Sequence, residues 1–301
     1  MSIFCVLYTF ERLSYDVFIK LFDMQVQPIA QFGAEIWGLT HAHIIEKIHL
    51  SALKRFLGVD RRTPNDLIYG EFGRYPIYLK SYVRCIHYWL KLTRMEENIL
   101  PFKCYKMLFD LDSRGKSTWV TNVRICLSRY GFQYVWINQG VGCVKSFIAC
   151  FKQRIIDCRS QDWSDHIRTS ERFSEYCMFK TSMTLEPYLS LNLNRYIMNA
   201  LVKFRLGISR IAQHANRYSN SVDHNSMVCH LCHDGMENDV HFMLYCPLLE
   251  DLRHALIPSK FSRYPCKFRL YLLLANKNEN LILNVAMFLY KAQKRLDVAY
   301  S

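Results

Sequence analysis

Strict alternation of apolar and polar residues, the mark of a half-buried strand, is nearly missing from this 301-residue chain. That absence argues against a sheet-based fold. An internal repeat and a low-complexity tract are missing too, which argues against a solenoid or a biased, unfolded tail. No apolar run is long enough to cross a bilayer; Leu281 to Tyr290 is short and is interrupted by Asn284. Met1 to Phe10 is apolar but lacks a positive leader and meets Glu11-Arg12 at once, so it is a poor secretory signal. Nine of the twelve cysteines show no paired close spacing, which argues against a disulfide framework and for free thiols in a reducing compartment. The expectation is an intracellular protein, nuclear or cytoplasmic, neither secreted nor membrane-bound. Finally, Asp and Glu are absent from Pro187 to Val222.

What is present is apolar and basic. Half of the residues are hydrophobic, with 19 Tyr, 19 Phe and 5 Trp, enough for a buried core. The formal net charge is +13, which favours a polyanionic partner: nucleic acid or an acidic membrane surface. The acid-free stretch carries Arg195, Lys203, Arg205, Arg210 and Arg217, interleaved with Tyr196, Phe204, His214 and Tyr218. Cations neutralise phosphates, and flat rings stack on unpaired bases. The cations, with no acids to balance them, are expected to meet the phosphates of RNA or DNA. Tyr196 and Phe204 are expected to face the core. Lys47, Lys54 and Arg55 form a second basic group that could carry the same role.

The periodicity predicts a mainly α fold. Ile44, Ile45, Ile48, Ala52, Phe56 and Leu57 recur at helical spacing up to Gly58. Thr63-Pro64 reads as an N-cap with proline at the first helical position. Pro76 opens a further helix, with Tyr78, Tyr82, Cys85, Trp89 and Leu92 on one stripe. Helices are also expected over Trp119 to Tyr130, Val144 to Cys158, Trp163 to Lys180, around Tyr196 to Phe204, and from about Leu281 to Leu296. Linkers are expected at Leu111 to Ser117, Asn138 to Gly142 and Tyr218 to Asn225. A small hairpin is expected in the cysteine segment.

That segment is the most specific signal. Cys229 and Cys232 enclose two residues, a spacing that closes a tight knuckle around one metal ion. His241 and Cys246 follow, and the apolar run Val240 to Tyr245 reads as a short helix that brings them back onto the knuckle. Three thiolates and one imidazole make a closed tetrahedral set for one structural zinc ion, with no spare position for a catalytic water. His230, His233, His224 and His254 are near in sequence. His241 is preferred because Val240, Phe242 and Leu244 would hold it in a small core.

Leu201-Val202-Lys203-Phe204-Arg205-Leu206, Arg217-Tyr218, Val228-Cys229-His230-Leu231-Cys232 and Glu237-Asn238-Asp239-Val240-His241-Phe242-Met243-Leu244-Tyr245-Cys246-Pro247 together resemble the zinc-binding segment of non-LTR (LINE-type) retrotransposon reverse transcriptases. Upstream, Leu13 to Asp23, Val26 to Ile29, Phe32 to Gly38, Ile45 to His49, Lys54 to Val59, Thr63 to Asn65 and Tyr69 to Pro76 are similar, in order, to the start of that family's thumb. The resemblance implies a thumb-like region over 1–75, a helical connector over 76–190, a basic segment and zinc-binding domain over 191–260, and a helical tail over 261–301. It implies a grip on template RNA or target DNA, with an upstream polymerase part of the same element as a possible partner. The family's fingers and palm, with the paired aspartates that hold two magnesium ions, have no counterpart. Asp110 and Asp112 lie in a linker-like stretch and read as solvated acids; Asp157, Asp162 and Asp165 are scattered. Nor does anything after Cys246 look like a nuclease core. The expectation is a nucleic-acid-binding remnant, not an enzyme by itself. One alternative is the C-terminal part of a longer, active RNA-directed DNA polymerase; another is a zinc-stabilised helical interaction protein.

Polymerisation needs metals that bridge the attacking and leaving oxygens. Purified protein with magnesium, nucleotides and a primed RNA template is therefore expected to extend no primer. Extension that chain-terminating nucleotides abolish would overturn this expectation.

Overall fold

The computed structural model describes residues 13–215 and 227–300. The described residues are mainly helical; their β-structure is confined to two isolated antiparallel bridges, Phe72 with Leu185 and Val228 with Met236. The principal helices are α1 (Ala42–Leu57), α2 (Asn65–Phe72), α3 (Tyr78–Leu92), α4 (Leu100–Ser113) and α5 (Trp119–Arg129). They continue with α6 (Val144–Thr169), α7 (Arg195–Arg205), α8 (Glu250–Leu256), α9 (Lys267–Leu274) and α10 (Glu279–Ala299). None of them is long and apolar enough to cross a membrane.

The helix ends follow local chemistry. α1 stops before Gly58, as its periodicity predicts. α2 stops at Gly73, where φ is +57°, and a Cβ there would lie 2.2 Å from the Leu185 backbone nitrogen, so only glycine fits. Asn278 caps α10 by accepting from the Leu281 N–H at 3.0 Å.

Several boundaries differ from the expected ones. The expected helices Val144 to Cys158 and Trp163 to Lys180 join into the single 26-residue α6, which ends at Thr169; a 3-10 turn (Glu171–Phe173) and a short helical turn (Tyr176–Phe179) follow it. No glycine or proline lies between Cys158 and Trp163, and Phe147, Phe151, Ile155, Trp163 and Ile167 are buried at multiples of four residues, so one stripe runs through. α2 begins at Asn65, one residue later than expected, because Pro64 stays extended (ψ 137°). α4 runs on into the expected linker, and Asp112 inside it is not a free solvated acid. It accepts from Thr121 Oγ1 at 2.6 Å and pairs with Arg124 at 3.2 Å, which holds its carboxyl below the usual range.

The chain divides into two compact units, each built from separated segments. One uses residues 18–52 and 75–163. Its core centres on Ile86, Trp89, Leu90, Val120, Val123, Leu127, Val135 and Phe151, all fully buried. Trp89 stacks on Trp136 at 5.6 Å and donates its indole N–H to Tyr105 Oη at 3.2 Å. Gln31, buried, donates to the Ile77 carbonyl at 3.0 Å and to Ser81 Oγ at 3.1 Å. Cys85 and Cys126 are buried, and their thiols are pushed up to about 12 by burial.

The other unit uses residues 13–17, 53–74, 164–215 and 227–300. α7 packs along α10, which buries Ile282, Val285, Phe288, Leu289, Ala292 and Leu296. At its centre lies an ionic cluster. Glu71 is fully buried and accepts from Arg205 Nε at 3.0 Å, Tyr188 Oη at 2.6 Å and Tyr176 Oη at 2.9 Å. Arg205 also donates to Glu186 at 2.7 Å and to the Leu274 carbonyl at 2.6 Å, while Lys180 pairs with Glu186. Burial alone would raise the Glu71 carboxyl; the Arg205 guanidinium overrides it and leaves the group below its ordinary value.

Two cations and two carboxylates balance here, so removing one strands a buried charge. Arg205→Ala is expected to cost about 3–5 kcal/mol in urea unfolding. Because the Glu71 carboxyl is depressed, its contribution holds at neutral pH and is lost as pH falls through its lowered value. A cost under about 1 kcal/mol would mean the cluster does not hold this unit together.

Candidate metal centre

The knuckle is shaped by backbone bonds. Cys229 N–H reaches the Gly235 carbonyl at 3.0 Å, and His233 N–H reaches the Cys229 carbonyl at 2.8 Å. The chain turns through left-handed residues His233 (φ 54°) and Gly235 (φ 77°), and Val228 bridges Met236 as the expected small hairpin. Asn238 Oδ1 then accepts from His241 N–H at 2.8 Å and starts a π-helical turn, His241–Tyr245. A π turn bonds residue i to i+5, and Cys246 N–H meets the His241 carbonyl at 2.6 Å. That register puts the side chains of His241 and Cys246 on one side, facing the knuckle.

The ligating atoms of Cys229, Cys232, His241 and Cys246 all lie within 4.8 Å of one another and can hold a metal ion. Cys229 Sγ and Cys246 Sγ are 3.9 Å apart; Cys232 Sγ and His241 Nε2 are 3.3 Å apart. Tetrahedral ligands at about 2.3 Å for sulfur and about 2.0 Å for nitrogen would stand about 3.8 Å and about 3.5 Å apart. The observed separations bracket those edges. Cys229 and Cys246 are fully buried and His241 nearly so, while Cys232 is half-buried at the edge of the site. With no metal, Cys229 is pushed up to about 12 by its hydrogen bond with Cys246 and then by burial, while the same contact pulls Cys246 down.

A shell of buried polar groups fixes the ligand loops. Glu237, fully buried, accepts from Ala212 N–H and from His230 N–H, both at 2.7 Å. Arg253 donates to the Met243 carbonyl at 3.2 Å and to the Cys246 carbonyl at 2.8 Å, clamping the end of the π turn. His214 Nε2 lies 3.0 Å from Asp239 Oδ1. Glu237 and Arg253 carry no short-range signal of this role, since each acts through backbone brought near by folding. The other histidines go elsewhere. His230 turns to Glu237 at 3.1 Å and packs at a tilt on Tyr300, ring centres 4.3 Å apart; His233 is exposed; His254 faces Glu250; His224 lies outside the described residues.

The basic residues do not share one fate. Arg205, expected at phosphates, is instead buried in the ionic cluster, because Glu71 and Glu186 supply the acids that its own segment lacks. Lys54 is likewise buried and donates to the Arg61 carbonyl and Asn65 Oδ1, each at 2.8 Å, which removes it from solvent. Arg210 is exposed and pairs with Asp297 at 3.0 Å. Lys47 is exposed; Arg55, Arg195 and Lys203 are half-buried; Arg217 lies outside the described residues. Phe204 is in the core as expected, stacked on Phe242 at 6.3 Å. Tyr196 is not: 70 % of it is exposed.

Cys232→Ser is expected to reduce bound metal from one ion per chain to near zero, as measured by elemental analysis. Since the thiols must lose protons to bind, metal affinity should rise with pH and fall on acidification. Stoichiometric metal retained in the Cys232→Ser protein would refute the ligand set.

No protein-family model matches the chain, and neither a curated protein nor a solved structure matches it.

Proposed function

We propose that this chain is a zinc-stabilised module that binds RNA or DNA, of the kind that accompanies the polymerase of non-LTR retrotransposons. Zinc suits three thiolates and an imidazole in a closed tetrahedron. The observation that carries the binding role is the surface of the unit that holds the metal centre. There Lys203 reaches solvent, Arg210 is exposed beside Asp297, and Tyr196 presents its ring. Arg195, half-buried, adds to the cationic surface of the same unit; Lys47, exposed, belongs to the other unit. The chain by itself is proposed not to polymerise, and Asp112 is engaged by Arg124 and Thr121.

A second reading, a helical interaction protein, is favoured by one feature of the other unit. Met24, Ile29, Phe32 and Ile36 are all exposed, Phe32 to 84 %. Exposed apolar side chains clustered in one short segment are a common mark of contact sites.

The two readings separate in a salt titration with a single-stranded oligonucleotide. If Arg195, Lys203 and Arg210 meet phosphates, log affinity should fall against log salt with a slope of about −2. Lys203→Ala and Arg210→Ala should each weaken binding several-fold across all base sequences, because phosphate contacts carry no base information. Salt-independent binding, or none, would favour the interaction protein.

A further inference from the structure

We propose that the cleft between α7 and α10 is a site for one nucleoside monophosphate unit, its phosphate on Lys203 and Lys294 and its base on Tyr196. The inference deepens the nucleic-acid reading and rests on it for its biological source, but the cleft can be tested by itself. The cleft is an open cavity of about 390 Å³, within the size range of small-ligand sites, roughly 300–1,000 Å³.

Its chemistry is asymmetric. Lys203, Arg210 and Lys294 line it against one carboxylate, Asp297. That carboxylate is already engaged by Arg210 at 3.0 Å and by Gln293 Nε2 at 3.2 Å. Among the described residues no carboxylate pairs with Lys203 or Lys294. Lys294 Nζ instead lies over the Tyr290 ring at 4.7 Å. Two ammonium groups sharing one cleft repel, and a phosphate dianion relieves that repulsion while accepting from both.

The rest of the cleft suits the nucleoside. Tyr196 lines it with its ring mostly exposed, a flat face without a partner of its own. Ring faces of this kind stack on bases regardless of base identity. Ser209 adds a hydroxyl that shares a 2.7 Å hydrogen bond with His214 Nδ1, whose Nε2 lies 3.0 Å from Asp239 Oδ1. The cleft thereby offers separate places for the phosphate and for the base.

The test is isothermal titration of the metal-loaded full chain with AMP, with adenosine and inorganic phosphate as the half-ligands. AMP is expected to bind more tightly than either half. Lys203→Ala, Lys294→Ala and Tyr196→Ala should each weaken it about tenfold. Tyr264→Ala, at an exposed tyrosine outside the cleft, should leave it unchanged. No AMP binding at millimolar concentration, or equal binding of AMP and phosphate with no effect of Tyr196→Ala, overturns the proposal. A single-stranded oligonucleotide that displaces AMP marks the occupant as a unit of a strand; failure to displace marks a free nucleotide, and both uphold the cleft. Strand binding that persists without any AMP binding sinks the cleft alone. AMP binding without strand binding sinks the nucleic-acid reading and leaves the cleft standing.

Discussion

The buried pairing of Glu71 with Arg205 is the constraint on which the metal-bearing unit depends. It joins parts of the chain far apart in sequence: α2 through Glu71, the Tyr176–Tyr188 stretch through two phenols, α7 through Arg205 and α9 through the Leu274 carbonyl. A fully buried carboxylate is tolerable only because every lone pair meets a donor and an opposite charge lies beside it. The guanidinium also lies against two rings, 4.9 Å from the Phe179 ring centre and 5.6 Å from that of Tyr188. This arrangement decides which cations are left for a partner. Arg205 is withdrawn from the surface, whereas Lys203 and Arg210, near it in sequence, are not.

The ligand cluster, holding a metal ion, would solve a different problem. The stretch from Met227 to Leu249 contains few buried apolar side chains, chiefly Phe242, Met243, Leu244 and Leu249. Such a segment cannot hold its own turn by hydrophobic burial, and structural metal sites supply that folding energy directly. The π turn is what lets a five-residue spacing serve, since an α-helical turn would rotate Cys246 away from His241. Glu237 and Arg253 attach the ligand loops to neighbouring backbone, so a bound metal ion and the packing of the surrounding helices would support one another.

The parts legible in the sequence were those fixed by short-range pattern. Helical periodicity placed α1, α3, α5, α7 and α10, and the order Cys229, Cys232, His241, Cys246 located the ligand cluster. What was not legible came from partners distant in the chain. Nothing near Arg205 foretells that Glu71 would neutralise it, and an acid-free window says little once acids arrive from 134 residues away. Lys54 was lost to the same cause on a shorter scale, drawn inward by the Arg61 carbonyl and by Asn65. Tyr196 erred in the opposite direction: it sits on α7 among apolar neighbours, yet its position on the helix faces water. α6 stays whole because its buried stripe, Phe147, Phe151, Ile155, Trp163 and Ile167, runs past the expected boundary between Cys158 and Trp163.

The claim that one metal ion organises the region around the four ligands is tested most directly by amide hydrogen exchange with and without a chelator. Removal of the metal is expected to strip protection from the described knuckle residues, 227–249, and from α8, while α3 to α5 remain protected. Unchanged protection of Cys229 to Cys246 after complete metal removal would contradict it.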